Sequence, residues 1–441
     1  MVLRPGWFPE YSSAQQIIFD DIVKIIEKHY QQFGYTHIHT PAVEANSVLL
    51  SKNGEETGKQ IFWLYGLAQW AEDLKDYALH FDLTVPFARY VLDWENELTF
   101  PFKRYQIQPV RRGERAQKWR YKEFRQCDVD AIRKDDKKTD YVFYDAEVIL
   151  DLYKAIAGIV EYGGIDDTPI FHINNKKIIN WLLLTLFKTP ELKQRVSTLI
   201  DKYTKIWEEK FVLSLKDLWI KDKEIDKLLE FLKMDIKHEK DLMKLSDFVK
   251  NDEFVQWLDE LVKVMNYLDM MKDTMGWLEY KVDFKIIRGL DYYTWTVFEC
   301  YLKNDIALWS ICGGGRYDNL TWYIDPKKKE YSWVGWSIGI SRILWKIFEN
   351  ENFITDQKTV SEYLFVHFPE TIKDILMLAW IFIKEGKNIE IYPCAEKLGK
   401  QFAYADKKWI PQVVIFGEGE KALKVYKIKN MKTGEEKEIE F

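Results

Sequence analysis

The stretch Phe102–Asp130, FKRYQIQPVRRGERAQKWRYKEFRQCDVD, constrains the fold of this 441-residue chain more than any other. The alternation at its two ends predicts strands over 103–110 and 122–130, with Tyr105 and Ile107 on one face and Phe124 on the returning strand. The loop between them carries too much charge to be buried. From Lys103 to Arg125 nine lysines and arginines stand against Glu114 and Glu123, which leaves +7 in a chain whose net charge is −6. A basic hairpin on an acidic protein suits a polyanion: nucleotide phosphate, nucleic acid or both. A solvated charged hairpin would show the same run. The interleaving of arginines with Gln117, Gln126 and aromatic residues favours the anion site, because guanidinium groups grip phosphate bidentately and stack on bases.

The length implies about two or three domains with ample core. A hydrophobic share of 47% and a charged share of 30% describe a soluble globular protein. No apolar run of about 18 residues and no secretory leader pattern is present, so a cytoplasmic protein without a membrane span is expected. Cys127, Cys300, Cys312 and Cys394 are scattered without a C-x-x-C pair, and the seven histidines show no ligand spacing, which fits reduced thiols and no zinc site.

Along the chain, residues 13–33 show helical spacing, with Ser13 and Gln16 as a capping box and Gly34 as the stop; a strand over 35–40 then meets Pro41. Asp82 and Thr84 sit just before Pro86, where the carboxylate either pairs with an amine or caps a helix over 86–93. A helix is expected over 141–162 and a strand over 165–174. Residues 176–275 are rich in Leu, Lys, Asp and Glu and poor in glycine, a helical insertion in which Phe254, Trp257, Leu258, Leu261, Met265 and Leu268 form the core face. Strand signals return at 280–287, then RGLDYYTWTVFEC (288–300), CGGGRYDNL (312–320) and SWVGWSIGISRIL (332–344). After a polar linker over 350–360, strands over 363–368, 388–394, 412–417 and 424–428 alternate with helices over 371–385 and 396–407, a small α/β domain.

The central stretch resembles motif 2 of class II aminoacyl-tRNA synthetases in the form found in histidyl-tRNA synthetases, and the resemblance covers nearly the whole chain. It implies an α+β fold: a class II antiparallel sheet flanked by helices over 1–175 and 276–350, the helical insertion over 176–275, and a C-terminal α/β anticodon-binding domain over 360–441. Residues 13–41 resemble motif 1, which builds a homodimer interface. Asp82, Leu83 and Thr84 resemble the segment that holds the α-amino group of histidine, with Gln126 and Asp130 on the substrate's polar edges. By the first signature Arg288 is the catalytic arginine that neutralises the α-phosphate, and Tyr292 and Tyr293 line the imidazole pocket. Tyr317 of the second closes that pocket. Arg112 would hold the α-phosphate and adenylate, and Glu114, Arg120 and Arg342 (motif 3) the rest of ATP. Arg115 and Gln117 would read the tRNA acceptor end.

What the resemblance implies is a histidine–tRNA ligase with ATP and Mg²⁺, no redox cofactor, and tRNA(His), histidine and a second copy of the chain as partners. An alternative is a non-catalytic synthetase paralogue that regulates the ATP phosphoribosyltransferase of histidine biosynthesis; retention of Arg112, Arg288, both tyrosines and a C-terminal domain argues against it. A synthetase for another amino acid of the subclass is disfavoured by RGLDYY and CGGGRYD.

One departure stands out. The chain has 18 Trp and 21 Gly, where a glycine share of about 7% would give roughly 31. Trp119, Trp295, Trp309, Trp322, Trp333 and Trp409 occupy places where the resembling family usually has glycine. Extra stacking on RNA suits Trp119 alone. A genome that reads UGA as glycine, translated with UGA as tryptophan, would account for all six. Arg111 and Arg125 also replace family aromatics.

Overall fold

The computed structural model describes residues 5–51, 58–64, 76–113, 120–134, 141–187, 189–203, 206–245, 251–275, 278–287, 293–305, 310–318, 320–328, 331–350, 353 and 358–440. Contacts divide the chain into two units. One is Lys24–Asn350 with the stretch up to Pro9; the other is Glu351–Phe441 with Glu10–Val23. None of the described helices is long and apolar enough to cross a membrane.

The larger unit holds β1 (Thr36–His37), β2 (Val43–Ala45), β3 (Trp63–Leu64), β4 (Tyr77–Leu79), β5 (Phe102–Arg111), β6 (Glu123–Lys134), β7 (Pro169–Asn175), β8 (Glu279–Val282), β9 (Thr296–Leu302), β10 (Cys312–Arg316) and β11 (Tyr331–Gly339). Eight of them form one sheet in the order β1-β5-β6-β11-β10-β9-β7-β8, and β2-β4-β3 form a separate small sheet. The large sheet is antiparallel from β5 to β7, as the class II expectation requires. Each edge carries a parallel partner, β1 on β5 and β8 on β7, so the whole is mixed.

Strand alternation divides this sheet into two faces. Arg104, Gln106 and Gln108 of β5 share a face with Gln126, Asp128, Asp130 and Ile132 of β6 and with Trp333, Gly335 and Ser337 of β11, as the register shows. At one end this face is apolar: Ile132, Trp333 and Tyr317 pack against Phe87, Ala88 and Val91 of the helix Thr84–Asp93. The other end is polar. The reverse face meets the helix ending at Gln32, where Tyr30 lies 5.5 Å from Tyr105 and 5.2 Å from Trp336, and its hydroxyl donates to Cys127 C=O at 3.1 Å.

The first helix runs Ser13–Gln32, but its cap sits one residue earlier than expected. Ser12 and Gln15 make the reciprocal bonds, at 3.3 and 3.0 Å. The strand expected over 35–40 pairs only at Thr36–His37. In the glycine-poor stretch the helix Asp252–Met275 lies on the helix Tyr141–Tyr162, with Phe143 edge-on to Tyr267 at 5.6 Å. Arg316 of the second signature ties that helix to the sheet: it pairs with buried Asp145 and donates to Ser332 Oγ at 2.7 Å and Tyr141 C=O at 2.6 Å.

The smaller unit is a mixed sheet of β12 (Tyr363–Phe365), β13 (Ile389–Ile391), β14 (Gln412–Ile415), β15 (Val425–Asn430) and β16 (Glu436–Glu440), ordered β13-β12-β14-β15-β16. The helices Ile372–Lys384 and Leu398–Lys408 fall where periodicity places them. Strand β16 and the short helix Glu418–Leu423 were not expected.

Candidate active site

The polar end of the sheet face collects charge out of water. Arg104 is fully buried, ion-pairs with Asp130, stacks 4.1 Å over Phe87 and donates to Gln106 at 3.2 Å. Asp130 also accepts from the Tyr317 hydroxyl, so β5, β6 and the residue after β10 meet at one carboxylate. Gly335 faces Asp130 across the β6–β11 register, and a β-carbon there would overlap the carboxylate; only glycine lets the two strands close over it.

Two residues back, Asp128 is buried between Gln106 and Ser337. Its Oδ1 has no partner among the described residues. Burial pushes its carboxyl up to about 6, against the Arg104 charge and a Ser337 hydrogen bond that pull it down. Gln126 donates to Ser337 Oγ at 2.9 Å, and its carbonyl oxygen is buried without a partner among the described residues.

Asp82 enters the same field from the helix Thr84–Asp93. The helix-capping reading of it has a hydrogen bond behind it. Its Oδ1 accepts from Val85 N–H at 3.2 Å and so caps the helix, while Oδ2 is buried and unpartnered among the described residues. Burial raises this carboxyl too, opposed by the Val85 hydrogen bond and the charges of Arg112 and Arg104. Leu83 is the backbone N-cap and Thr84 the first helical residue; both are buried.

Arg112 closes this end. Its Nε donates to Phe81 C=O at 3.1 Å, and its guanidinium lies 4.6 Å over Phe81 and 5.1 Å over Phe124. The backbone around it is fixed on three sides: Arg111 N–H to His80 C=O (2.8 Å), Arg112 N–H to Lys122 C=O (2.8 Å) and Gly113 N–H to Gln60 C=O (2.7 Å). Arg111 itself pairs with Glu123 directly opposite, Nε to Oε2 at 2.7 Å, a cross-strand ion pair where the resembling family has an aromatic residue.

Tyr293 stands 6.0 Å from Tyr317, edge to face, beside Gly315. Arg342, on the helix Ile340–Phe348, donates to Ser310 C=O. Arg120 lies at the far side of the hairpin loop, half-buried. Arg288, Tyr292, Glu114, Arg115 and Gln117 lie outside the described residues, as do Trp119 and Trp309.

Thus Asp82, Gln126, Asp130, Arg112, Tyr293 and Tyr317 converge, and two buried charges that the sequence reading passed over, Arg104 and Asp128, join them. Asp82, Asp128 and Asp130 set three carboxylates against Arg104 and Arg112. With all five ionised the pocket is short of one positive charge, which a ligand's ammonium group would supply. Among the described residues no group of three or more His, Cys, Asp or Glu could hold a metal ion.

The family model described as Histidyl-tRNA synthetase matches residues 12–343. The chain belongs to the histidyl-tRNA synthetase family. The model described as Anticodon binding domain matches residues 371–441. Among relatives, the chain is 36% identical to the histidine–tRNA ligase of Clostridium tetani (strain Massachusetts / E88) over 445 residues, 99% of this chain and 95% of that one. It is 38% identical to that of Clostridium acetobutylicum over 446 residues, 99% and 97%. Its structure superposes on the crystal structure of histidyl-tRNA synthetase from Nostoc sp. PCC 7120 with a TM-score of 0.85 at 30% identity, covering 99% of this chain and 96% of that one. The family thus rests on the full length of the chain, and the carboxylate pocket lies within its synthetase segment.

Proposed function

We propose that this chain is a histidine–tRNA ligase: it joins histidine to ATP as histidyl-adenylate and passes the histidyl group to the 3′ end of tRNA(His). The observation that carries the reading is the anionic pocket beside Arg112, in a chain whose full-length relatives are named histidine–tRNA ligases. The α-ammonium group would sit between Asp82 Oδ2 and Asp128 Oδ1, buried pocket oxygens without a partner among the described residues. Asp130 and Gln126, with Tyr293, Tyr317 and Tyr292, would take the imidazole ring and its N–H. The substrate carboxylate then faces Arg112 and attacks the α-phosphate, expelling pyrophosphate. Arg112 would hold the α-phosphate and Arg288 the charge that builds on it in the transition state. Glu114, Arg120 and Arg342 would hold the rest of ATP, and Mg²⁺ would come with the triphosphate.

In the second step the terminal ribose hydroxyl of tRNA attacks the adenylate carbonyl and AMP leaves. Arg115 and Gln117 would position the acceptor end, and residues 360–441 would read the anticodon. The catalytic core would be 1–175 with 276–350, the helical insertion 176–275, and the working form a homodimer in the cytoplasm. The regulatory-paralogue reading is not favoured, since the relatives named above are ligases over their full length.

Pyrophosphate exchange with each of the twenty amino acids tests this. Exchange is expected with histidine alone and is expected to vanish in Arg288→Ala with the fold intact. Exchange with a different amino acid, or none with histidine, defeats the substrate assignment.

A further inference from the structure

Among the described residues four other than glycine hold a left-handed backbone, and three are tryptophan: Trp7 (φ 71°), Trp219 (φ 60°) and Trp409 (φ 58°), the fourth being Lys424 (φ 56°). At such φ a β-carbon crowds the following carbonyl, so the region belongs to glycine, with Asn and Asp as the usual exceptions.

The hydrogen bonds identify these positions. The helix Ser13–Gln32 ends at Gly34 (φ 77°), with Tyr35 N–H donating to Tyr30 C=O at 3.0 Å. The helix Tyr141–Tyr162 ends at Gly164 (φ 55°), with Ile165 N–H to Val160 C=O at 3.0 Å. The helix Ile372–Lys384 ends at Gly386 (φ 77°), with Lys387 N–H to Phe382 C=O at 3.0 Å. This six-to-one closure is the helix end that glycine serves. The helix Glu208–Lys216 closes the same way, Ile220 N–H to Leu215 C=O at 3.4 Å, and so does Leu398–Lys408, Ile410 N–H to Ala405 C=O at 2.9 Å. In these two, glycine's place is held by Trp219 and Trp409. Trp7 is the third residue of a turn closed by Phe8 N–H to Pro5 C=O at 3.5 Å, and a positive φ there is the type II geometry that calls for glycine.

None of these three indoles is buried. Trp219 is 93% exposed, and Trp409 and Trp7 about half. In the core the opposite misfit occurs. Trp333 and Trp336 are buried, and the indole N–H of each lacks a partner among the described residues, although a buried indole ordinarily finds one. Trp336 stands opposite Gly314, where a β-carbon would overlap its own.

We propose that positions 7, 219, 333, 336 and 409 are glycine in the protein the cell makes, their codons being UGA in a genome that assigns UGA to glycine. Of the six tryptophans singled out from sequence, Trp333 and Trp409 belong to this set; Trp295 and Trp322 show neither the backbone nor the orphaned N–H. Trp7, Trp219 and Trp336 come from the structure. Five glycines would make up about half of the shortage in the sequence.

Peptide mass mapping of the protein purified from its own cells, beside the sequence of its gene, decides the matter. Glycine peptides and UGA codons at the five positions are expected; an indole-containing peptide or a UGG codon at 7, 219 or 409 overturns the proposal. The strain argument has its own test in the protein made with tryptophan. Trp219→Gly removes a side chain that packs on almost nothing, so its thermal midpoint should rise by about 1–3 °C. An unchanged or lower midpoint would show that the left-handed indole is not strained and removes the structural ground.

Discussion

Asp128 occupies a place that disfavours its own charge. Its folded pKa of about 6 lies above the ordinary carboxylate value of about 3.9, so the unfolded chain releases the proton first. Stability contributed by the protonated form is therefore present below pH ~4 and is lost as pH rises through ~6, a swing of up to about 3 kcal/mol. Asp128→Asn should raise the stability of the ligand-free protein at pH 7 by about 1–3 kcal/mol, read from the urea midpoint, with little gain at pH 4. The same variant should raise KM for histidine about tenfold or more while leaving KM for ATP unchanged. A variant less stable than wild type at pH 7, with histidine KM unmoved, would mean that the carboxylate serves the fold and not the ligand. This residue was invisible in the sequence for a physical reason. An Asp in a strand reads as solvent-facing because charge is rarely buried, and the pattern Q-C-D-V-D does not say which face is covered. Arg104 was misjudged on the same ground, counted with a basic run most of whose members lie nearer the loop. For Asp82 the sequence leaves two alternatives open, and the structure shows one oxygen capping a helix and the other buried without a partner among the described residues.

At the scale of elements, β5 and β6 were legible because alternation is a local property, and so was the long helix Tyr141–Tyr162 that follows them. Pairing at the edges was not. Strands were expected over 35–40 and 280–287, but only Thr36–His37 and Glu279–Val282 pair, each in parallel with a partner strand that no local period singles out. The small sheet β2-β4-β3 failed for the same reason, and β16 because EKEIE is mostly charged. The buried Arg104–Asp130 pair, with Tyr317 on the same carboxylate, adds a side-chain tie to the β5–β6 ladder at the site. Arg104→Met keeps the bulk but strands Asp130, and should cost about 3–5 kcal/mol of stability. Combining it with Asp130→Asn should recover most of that loss, since the penalty belongs to the unpaired charge. A double variant as unstable as the single one in urea would show that the two side chains are not energetically coupled.

At the scale of the molecule, every residue proposed above for adenylate formation falls within the larger unit, Lys24–Asn350. Charging needs in addition that the correct tRNA be held. Residues 371–441 match an anticodon-binding domain. Removing residues 360–441 should therefore leave histidine-dependent pyrophosphate exchange within about threefold of the full chain, while the rate of tRNA charging falls by about a hundredfold or more, a difference of roughly 2–3 kcal/mol in the barrier of the second step alone. The smaller unit also includes Glu10–Val23, which lose their partners in the truncated chain. The comparison is therefore made on protein whose circular dichroism and oligomeric state match those of the full chain. Equal losses in both reactions from such a protein would mean that the C-terminal unit supports the active site itself, and the assignment of anticodon reading to it would have to be given up.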